Sequence, residues 1–221
     1  MRLLTRARER STGTLQDRLV WQSASLLLAY PDERLTERLK LVEELMIPIP
    51  EPQAKLLGRT VAALAAIDPI TAAADYVETF DMRRRSTMYL TYWTSGDTRN
   101  RGGEMHAFAQ AYRAAGVPPP TDEAPDHLPV VLEFAATVDP VVGRRLLVEH
   151  RMPIDVVRDA LTDRESPYAH AVAAVCLTLP AATDQEMLRA QRLAQAGPPA
   201  ESVGLQPFTL TVPPRRSEGD G

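Results

Sequence analysis

Apolar residues recur every three or four positions through most of the chain. Met105, Phe108, Ala109 and Tyr112 stand at i, i+3, i+4 and i+7, and so share one face of a helix. No stretch shows the strict apolar and polar alternation of a half-buried strand. The same helical spacing recurs in three further sets, which are Ile70, Ala73, Ala74, Val77 and Phe80, then Val131, Phe134, Ala135 and Val138, and finally Tyr168, Ala171, Val172, Val175, Cys176 and Leu179. Each set predicts an amphipathic helix with one buried face.

Prolines and glycines divide these helices. In Asp68-Pro69, Asp139-Pro140 and Ser166-Pro167 a residue that caps helices precedes a proline, whose missing N–H costs nothing in the first helical turn. The segment 82–103 is mixed, because Ser86 to Trp93 could continue as helix, whereas Ser95-Gly96-Asp97 and Gly102-Gly103 are typical of turns. The predicted helices lie near 14–29, 33–46, 52–67, 69–81, 104–116, 127–138, 140–151, 154–163, 167–179 and 184–196.

The predicted fold is therefore all-α, a compact bundle of about nine to ten short helices. Residues 1–196 are expected to form a single helical domain. From Gly197 the composition shifts to proline, glycine, serine and charge, which predicts a flexible C-terminal tail over 197–221. No internal repeat of fixed period is found, and this disfavours a solenoid.

The composition excludes several classes of partner and location. Among 221 residues, 25 are Lys or Arg and 29 are Asp or Glu, and this balance gives no support to a nucleic-acid partner. The basic first residues lack the apolar run of a secretory signal. No stretch approaches the roughly 20 apolar residues that span a bilayer. We therefore expect a cytoplasmic protein without stable membrane insertion.

The residues that usually carry catalysis or bind metals are sparse. Cys176 is the single cysteine, so the chain alone builds neither a disulfide nor a thiolate-rich metal or iron-sulfur site. Its place in an apolar stripe predicts a buried, inert thiol. The signatures of serine hydrolases, phosphate loops, zinc proteases and dinucleotide binding are missing. The four histidines, His106, His127, His150 and His170, form no i, i+4 pair. We expect no metal, no cofactor and no catalytic activity.

A run of three arginines, Arg83 to Arg85, follows an amphipathic helix and precedes Tyr89, Tyr92 and Trp93. Cations at a helix C-terminus oppose the negative end of the helix dipole, so one interpretation is a charge cap beside core aromatics. The other interpretation is a polar and aromatic wall that contacts a partner. The residues alone leave both open.

A second cluster surrounds the start of the predicted helix 127–138. Asp126 has the side chain of an N-cap, and Pro129 falls in the first turn. Glu133, seven residues after Asp126, is expected on the same face, opposite Val131 and Phe134. Such a carboxylate pair is usually only solvated.

The charges of the two clusters differ in sign. Residues 120–139 contain five carboxylates and neither Lys nor Arg, whereas residues 83–101 contain five arginines and one aspartate. We therefore expect a surface with two poles. An acidic face beside an apolar groove suits a basic amphipathic peptide, because apolar anchors give affinity while charges orient the peptide. This combination predicts a helical protein-binding module.

Three motifs in fixed order resemble one known family. The run YVETFDMRRRSTMYLTYWTSGDTRNRG from Tyr76 to Gly102, the helix HAFAQAYRAAG after it, and PDHLPVVLEFAA from Pro125 to Ala136 are similar to the NarJ-type molybdenum cofactor assembly chaperones of respiratory nitrate reductase, the delta-subunit family. The resemblance extends from about Leu19 to Leu193.

The resemblance implies an all-helical fold related to the chaperones that bind twin-arginine signal peptides of redox enzymes. It implies a non-catalytic, dedicated chaperone that binds the immature nitrate reductase α subunit, including its N-terminal segment, in the cytoplasm. There it keeps the α subunit competent for insertion of the molybdenum cofactor and an iron-sulfur cluster before membrane attachment. The motifs, with Tyr89 from the aromatic cluster, give the candidate client-binding residues Tyr76, Phe80, Asp81, Arg83, Arg84, Arg85, Tyr89, Asp126, His127, Pro129 and Glu133.

Two other functions stay open beside this one. A chaperone or signal-peptide binder for a different molybdoenzyme would share the same motifs. An enzyme that uses Asp126, His127 and Glu133 as acid and base is permitted by the residue types, although their expected exposure discourages it. An apolar groove without its client would leave hydrophobic surface exposed, so a transient homodimer, or cover by the tail residues Leu205, Phe208 and Leu210, is a further expectation.

Overall fold

The computed structural model describes residues 14–96 and 99–197, and within these two ranges it contains eleven α-helices and no strand. The helices are α1 (Leu15–Leu28), α2 (Leu35–Met46), α3 (Glu51–Ala65), α4 (Pro69–Tyr76), α5 (Leu90–Ser95), α6 (Arg99–Ala114), α7 (Leu128–Glu133), α8 (Pro140–Glu149), α9 (Arg151–Thr162), α10 (Tyr168–Thr178) and α11 (Asp184–Ala196). Two π-helical turns, Val77–Asp81 and Phe134–Val138, extend α4 and α7, and a 3-10 turn covers Arg84–Ser86. The all-α prediction is confirmed.

The core is built around α1 and α10. Helix α10 packs against α1, α3 and α9, while α1 also contacts α2, α7 and the π turn that follows α7. Because α10 is surrounded in this way, its apolar residues are buried on nearly every side, from Tyr168 through Val172 to Leu179. Trp21 of α1 joins the two helices directly, since its indole N–H donates to Thr178 Oγ1 at 2.8 Å.

Two of the three predicted aspartate or serine caps are present. Asp68 accepts the backbone N–H groups of residues 70 and 71 at the start of α4, and Asp139 accepts those of residues 141 and 142 at the start of α8. The predicted cap at Ser166 is wrong. Its backbone N–H instead donates to the Leu161 carbonyl at 3.0 Å and closes α9, with Glu165 in the left-handed region at φ 54°.

The segment 82–103 holds more helix than its turn residues predict. Gly96 does turn the chain at φ 61°, but Gly102 and Gly103 lie inside α6, which begins at Arg99. Each glycine costs about 1 kcal/mol in a helix interior, and burial of Phe108 and Tyr112 further along α6 offsets this cost. The short helix α5, which contains the buried Trp93, overlaps the stretch Ser86 to Trp93, for which the sequence leaves helix open.

The buried faces of α4 and α7, each taken with its π turn, differ from the predicted stripes. In α4 and its π turn the buried residues are Ala72, Tyr76 and Phe80, whereas Ile70 is 83% exposed. The predicted stripe through Ile70 is therefore wrong, because the buried face of the helix is rotated relative to that stripe. Val138, at the end of the second π turn, is likewise exposed, although Phe134 and Ala135 are buried as predicted.

Gly143 of α8 packs very close to Ala135 of the second π turn. A Cβ built on Gly143 would lie 2.3 Å from the Cα and 2.4 Å from the Cβ of Ala135. This separation is far below van der Waals contact, so only glycine allows α8 to pack this close to the second π turn. The contact fixes the end of the helix that carries Glu133.

Some predictions fall on other parts of the chain. The tail and its residues Leu205, Phe208 and Leu210 lie outside the described residues, so the division at 196 and 197 stays a prediction. Within the described residues, no single helix has both the length and the apolarity to cross a bilayer. One consecutive pair, Glu51–Ala65 with Pro69–Asp81, reaches both only when joined, and it bends by 118° between its halves.

Candidate functional site

The two predicted clusters, separate in sequence, lie side by side in the fold. Tyr89 and His127 form an isolated antiparallel bridge. On either side of it, Leu90 N–H donates to the Asp126 carbonyl at 3.1 Å and Leu128 N–H donates to the Met88 carbonyl at 2.9 Å. The side chains of Tyr89 and His127 also contact each other, with ring centroids 4.9 Å apart. The arginine-rich segment and the acidic segment therefore meet at one site.

Asp126 lies beneath this site and not on its surface. Its side chain is 0% exposed, and its Oδ2 accepts both the backbone N–H of Thr91 at 3.1 Å and the hydroxyl of Thr91 at 2.6 Å. The expectations that Asp126 caps its own helix and pairs with Glu133 on a solvated face are both wrong. The carboxylate caps α5 instead, where it meets the unpaired N–H groups of a helix N-terminus.

Seven of the predicted residues line one open cavity of about 370 Å³, which we call the groove. Its walls come from the end of α1, from α4 and its π turn, from residues 87–89, and from residues 123–133. The predicted residues that line the groove are Tyr76, Phe80, Asp81, Tyr89, His127, Pro129 and Glu133.

The floor of the groove is aromatic. The Tyr76 ring lies 4.7 Å from Phe80 and 5.4 Å from Tyr30, measured between centroids. Tyr168 of α10 packs under both, 5.8 Å from Tyr76 and 5.1 Å from Phe80. The hydroxyl of Tyr76 is fixed by donation to the Leu28 carbonyl at 3.0 Å, and burial raises its pKa far above the ordinary value. Such a rigid floor presents apolar surface without needing to reorganise.

The rim of the groove is acidic. Asp81 and Glu133 are exposed, Glu123 is half-buried, and none of the described residues lining the groove is Lys or Arg. Glu123 accepts the Tyr89 hydroxyl at 3.0 Å and lies 3.4 Å from His127 Nδ1. Cationic side chains of a ligand would meet three carboxylates here.

The environment of the groove shifts the pKa values of two titratable groups. Burial lowers the pKa of His127, an effect that the nearby carboxylates of Glu123, Asp126 and Asp81 partly oppose. The ring is therefore neutral at pH 7 and adds no positive charge to the groove. Burial and the charge of Glu123 raise the pKa of Tyr89 to about 12, so its hydroxyl keeps the proton that it donates.

None of the three predicted arginines lines the groove. Arg83 forms an ion pair with Glu78, and it shares with Arg84 a basic pocket of about 300 Å³ beside the groove. All three arginines also line a separate cavity of about 400 Å³ against Trp93 and α9. Arg85 lines this cavity but not the basic pocket. The structure thus distributes the predicted site residues over three cavities, except for Asp126, which lines none of them.

Sequence reasoning missed two residues of the site that carry charge. Glu123 was noted only as part of an acidic segment, yet it contacts both Tyr89 and His127. Arg101 was noted only as part of a basic segment, yet its guanidinium lies 5.3 Å from the Tyr89 ring centroid and 5.8 Å from that of Tyr92. The sequence did offer one signal for these residues, since Glu123 and Arg101 carry the opposite charges of the two clusters.

The acid and base roles considered for Asp126, His127 and Glu133 find no support in this geometry. Asp126 is buried and engaged by Thr91, and the base nearest to His127 is Glu123. Cys176 is buried as predicted, and burial with the adjacent Asp155 raises its pKa to about 12, which disfavours the reactive thiolate. The described residues contain no cluster of three potential metal ligands.

Comparison with known proteins identifies the family. Residues 48–174 match the model of the nitrate reductase delta subunit family. Over 160 residues, 72% of this chain, the sequence is 61% identical to the nitrate reductase-like protein NarX of Mycobacterium tuberculosis. Over 158 residues, 71% of this chain and 86% of the relative, it is 30% identical to the probable nitrate reductase molybdenum cofactor assembly chaperone NarJ of Bacillus subtilis.

A solved structure from Archaeoglobus fulgidus, provisionally named a redox enzyme maturation protein, shares the fold. It covers 75% of this chain and 93% of its own at a TM-score of 0.54, with 22% identity. The match to NarX spans only 24% of that longer relative. The family model, however, covers more than half of this chain, and the B. subtilis relative is matched over most of its length. The chain therefore belongs to the nitrate reductase delta subunit family.

Proposed function

We propose that this protein is a nitrate reductase assembly chaperone that binds the immature α subunit through its N-terminal segment. The observation that carries the proposal is the groove, which combines a rigid aromatic floor with an acidic rim. Membership of the family and the printed name of the B. subtilis relative support the choice of client.

The groove suits an amphipathic segment with basic residues. Apolar side chains of the segment contact Tyr76, Phe80 and Pro129, and Lys or Arg side chains face Glu123 and Glu133. Burial of the apolar side chains supplies most of the affinity, whereas the carboxylates orient the segment and speed its encounter with the groove. We retain Tyr76, Phe80, Asp81, Tyr89, His127, Pro129 and Glu133 as the client-binding residues of the groove.

In this proposal the chaperone acts in the cytoplasm and is not an enzyme. It holds the α subunit in a form that accepts the molybdenum cofactor and an iron-sulfur cluster before membrane attachment, and it needs no cofactor of its own. The proposal covers only what this chain contributes, because the chain spans about a quarter of its NarX relatives.

Self-association is a second proposal that follows from the same surface. Exposed apolar residues at or beside helix ends include Ile47, Ile70 and Met82, and the exposed ring of Tyr30 adds apolar surface at the groove. A transient homodimer would cover part of this surface. The test is light scattering across a range of protein concentrations, with and without the client segment, and a monomer at every concentration would overturn it.

The client is tested by co-purification from the native host grown without oxygen on nitrate. The tagged wild-type chain should retain the nitrate reductase α subunit without its molybdenum cofactor, identified by mass spectrometry and by metal analysis. A variant with Glu123 and Glu133 both changed to Lys should retain much less. Recovery of a different molybdoenzyme in place of nitrate reductase, or retention unaffected by the two changes, would contradict the proposal.

A further inference from the structure

The groove does not end at Tyr89 but continues into the basic pocket beside it. Phe80, Asp81, Thr87 and Tyr89 line both cavities. On the far side of Tyr89 the lining residues include Arg83, Arg84 and Arg101, whereas Glu123 and Glu133 line only the groove. One continuous surface therefore has an acidic end and a basic end, with aromatic rings between them.

Arg101 is held in place at the basic end. Its guanidinium contacts the rings of Tyr89 and Tyr92, and its Nε–H donates to Thr91 Oγ1 at 3.3 Å. One of its terminal nitrogens lies 3.9 Å from the buried Oδ2 of Asp126. This arrangement fixes the direction of a planar guanidinium and leaves donors free for a further carboxylate, which a fixed fork of donors binds well.

Arg84 supplies a second cation that is available to a ligand. It is exposed, and among the described residues it forms no ion pair, whereas Arg83 is already paired with Glu78. Arg84 and Arg101 both line the basic pocket. Three guanidinium groups and the single carboxylate of Asp81 line the pocket, whereas Glu78 and Asp126, which pair with Arg83 and Arg101, do not line it. This end therefore presents guanidinium donors to negative charge.

We infer that the groove and the basic pocket form one bipolar channel, which selects a peptide segment that carries basic residues at one end and an acidic side chain at the other. Arg101 and Arg84 are then specificity-determining residues that contact this acidic side chain. The inference rests on the proposed peptide binding, and it adds a charge pattern that the acidic groove alone would not require.

The dimensions set the spacing of those charges. His127, Tyr89 and Arg101 are in successive contact, at 4.9 Å and 5.3 Å. The His127 ring and the Arg101 guanidinium are therefore at most about 10 Å apart, a distance that about seven residues of α-helix span at 1.5 Å each. A helical segment would meet both ends with charges at i and i+7 on one face.

Two synthetic peptides with blocked termini test the inference. Both carry a Lys pair followed by an apolar helical face, and they differ only in having Glu or Gln seven residues after the Lys pair. The wild-type chain should bind the Glu peptide about fivefold more tightly than the Gln peptide, as expected for one partly exposed charge pair. The Arg84→Glu variant should lose this preference.

Arg85→Glu is the matched control, because Arg85 is the adjacent exposed arginine and does not line the basic pocket. It should keep the fivefold preference, and so should Arg101→Lys in part. Equal affinity of the wild-type protein for the two peptides would overturn the bipolar channel. Equal loss of the preference for the Glu peptide in Arg84→Glu and Arg85→Glu would overturn it as well.

The nitrate reductase α-subunit segment is titrated in parallel. If this segment binds at the groove but the Glu and Gln peptides do not differ, the channel is wrong and the proposed function stands. If this segment fails to bind while the Glu preference is present, the proposed client is wrong and the channel stands.

Discussion

The carboxylate of Asp126 caps a helix that begins 36 residues before it in the chain. Its Oδ2 accepts the backbone N–H and the hydroxyl of Thr91, the second residue of α5, while its carbonyl accepts Leu90 N–H. Both partners lie next to the bridge between Tyr89 and His127. Asp126 is therefore a positioning residue: it does not reach the groove, and it holds together the two segments that form it.

Replacement of Asp126 by Asn should lower the free energy of unfolding by about 1–2 kcal/mol, because the charged acceptor of two hydrogen bonds is lost in a buried place. Chemical denaturation monitored by circular dichroism measures this change. Asp122→Asn, four residues earlier and exposed, should stay within about 0.5 kcal/mol of wild type. Equal stabilities of the two variants would contradict the capping role.

Gly143 offers a test of the packing between α8 and the second π turn. Gly143→Ala places a methyl group against the backbone of Ala135 and should destabilise the fold by about 1–3 kcal/mol. Gly58→Ala, within α3, has open space around its Cβ and should instead gain up to about 1 kcal/mol through helix propensity. Thermal unfolding measures the stability of both variants. A gain in stability from both substitutions would show that α8 can move away from the second π turn.

His127 predicts a pH dependence of stability. Its pKa is lowered by burial below the ordinary 6.5, so the unfolded chain takes up a proton before the folded chain does. The free energy of unfolding should therefore fall as pH drops through 6.5, by at most about 1.4 kcal/mol per pH unit from this residue.

Removal of the imidazole checks this assignment. His127→Gln should show a shallower loss of stability between pH 7.5 and pH 5.5 than wild type. Above pH 7.5, where the ring is neutral in both states, the two curves should run parallel. Identical slopes below pH 6.5 would mean that His127 titrates alike in the folded and unfolded chain.

Cys176 should be unreactive while the protein is folded. Burial raises its pKa to about 12, and the thiolate is the reactive form. A chromogenic disulfide reagent at pH 8 should leave most of the Cys176 thiol of the folded protein unmodified over a time in which urea-unfolded protein reacts completely. Rapid modification of the folded protein would show that the helices around Cys176 open readily.

Local patterns in the sequence were sufficient for most helices. The stripe from Tyr168 to Leu179 and the caps at Asp68 and Asp139 depend on neighbours within one turn, and they appear as predicted. The family resemblance carried by the motifs is also confirmed.

The unpredicted features depend on contacts between residues far apart in the chain. Nothing near Asp126 indicates that Thr91, 35 residues away, is its partner, and α5 is too short to be signalled by its own periodicity. Ile70 is exposed because the buried face of α4 runs through Ala72 and Tyr76, a phase that the predicted stripe did not give. Arg101 joins the site because α6 packs on α5, so its position is a tertiary effect.

We expect the acidic rim to bind the N-terminal segment of the nitrate reductase α subunit. Isothermal titration of that synthetic segment into the wild-type chain should show binding with a negative heat-capacity change, which marks burial of apolar surface. Glu133→Lys should weaken binding about fivefold or more, while Glu43→Lys, exposed on α2 outside the groove, should leave it unchanged. Binding that is insensitive to Glu133→Lys, or equally weakened by Glu43→Lys, would contradict this expectation.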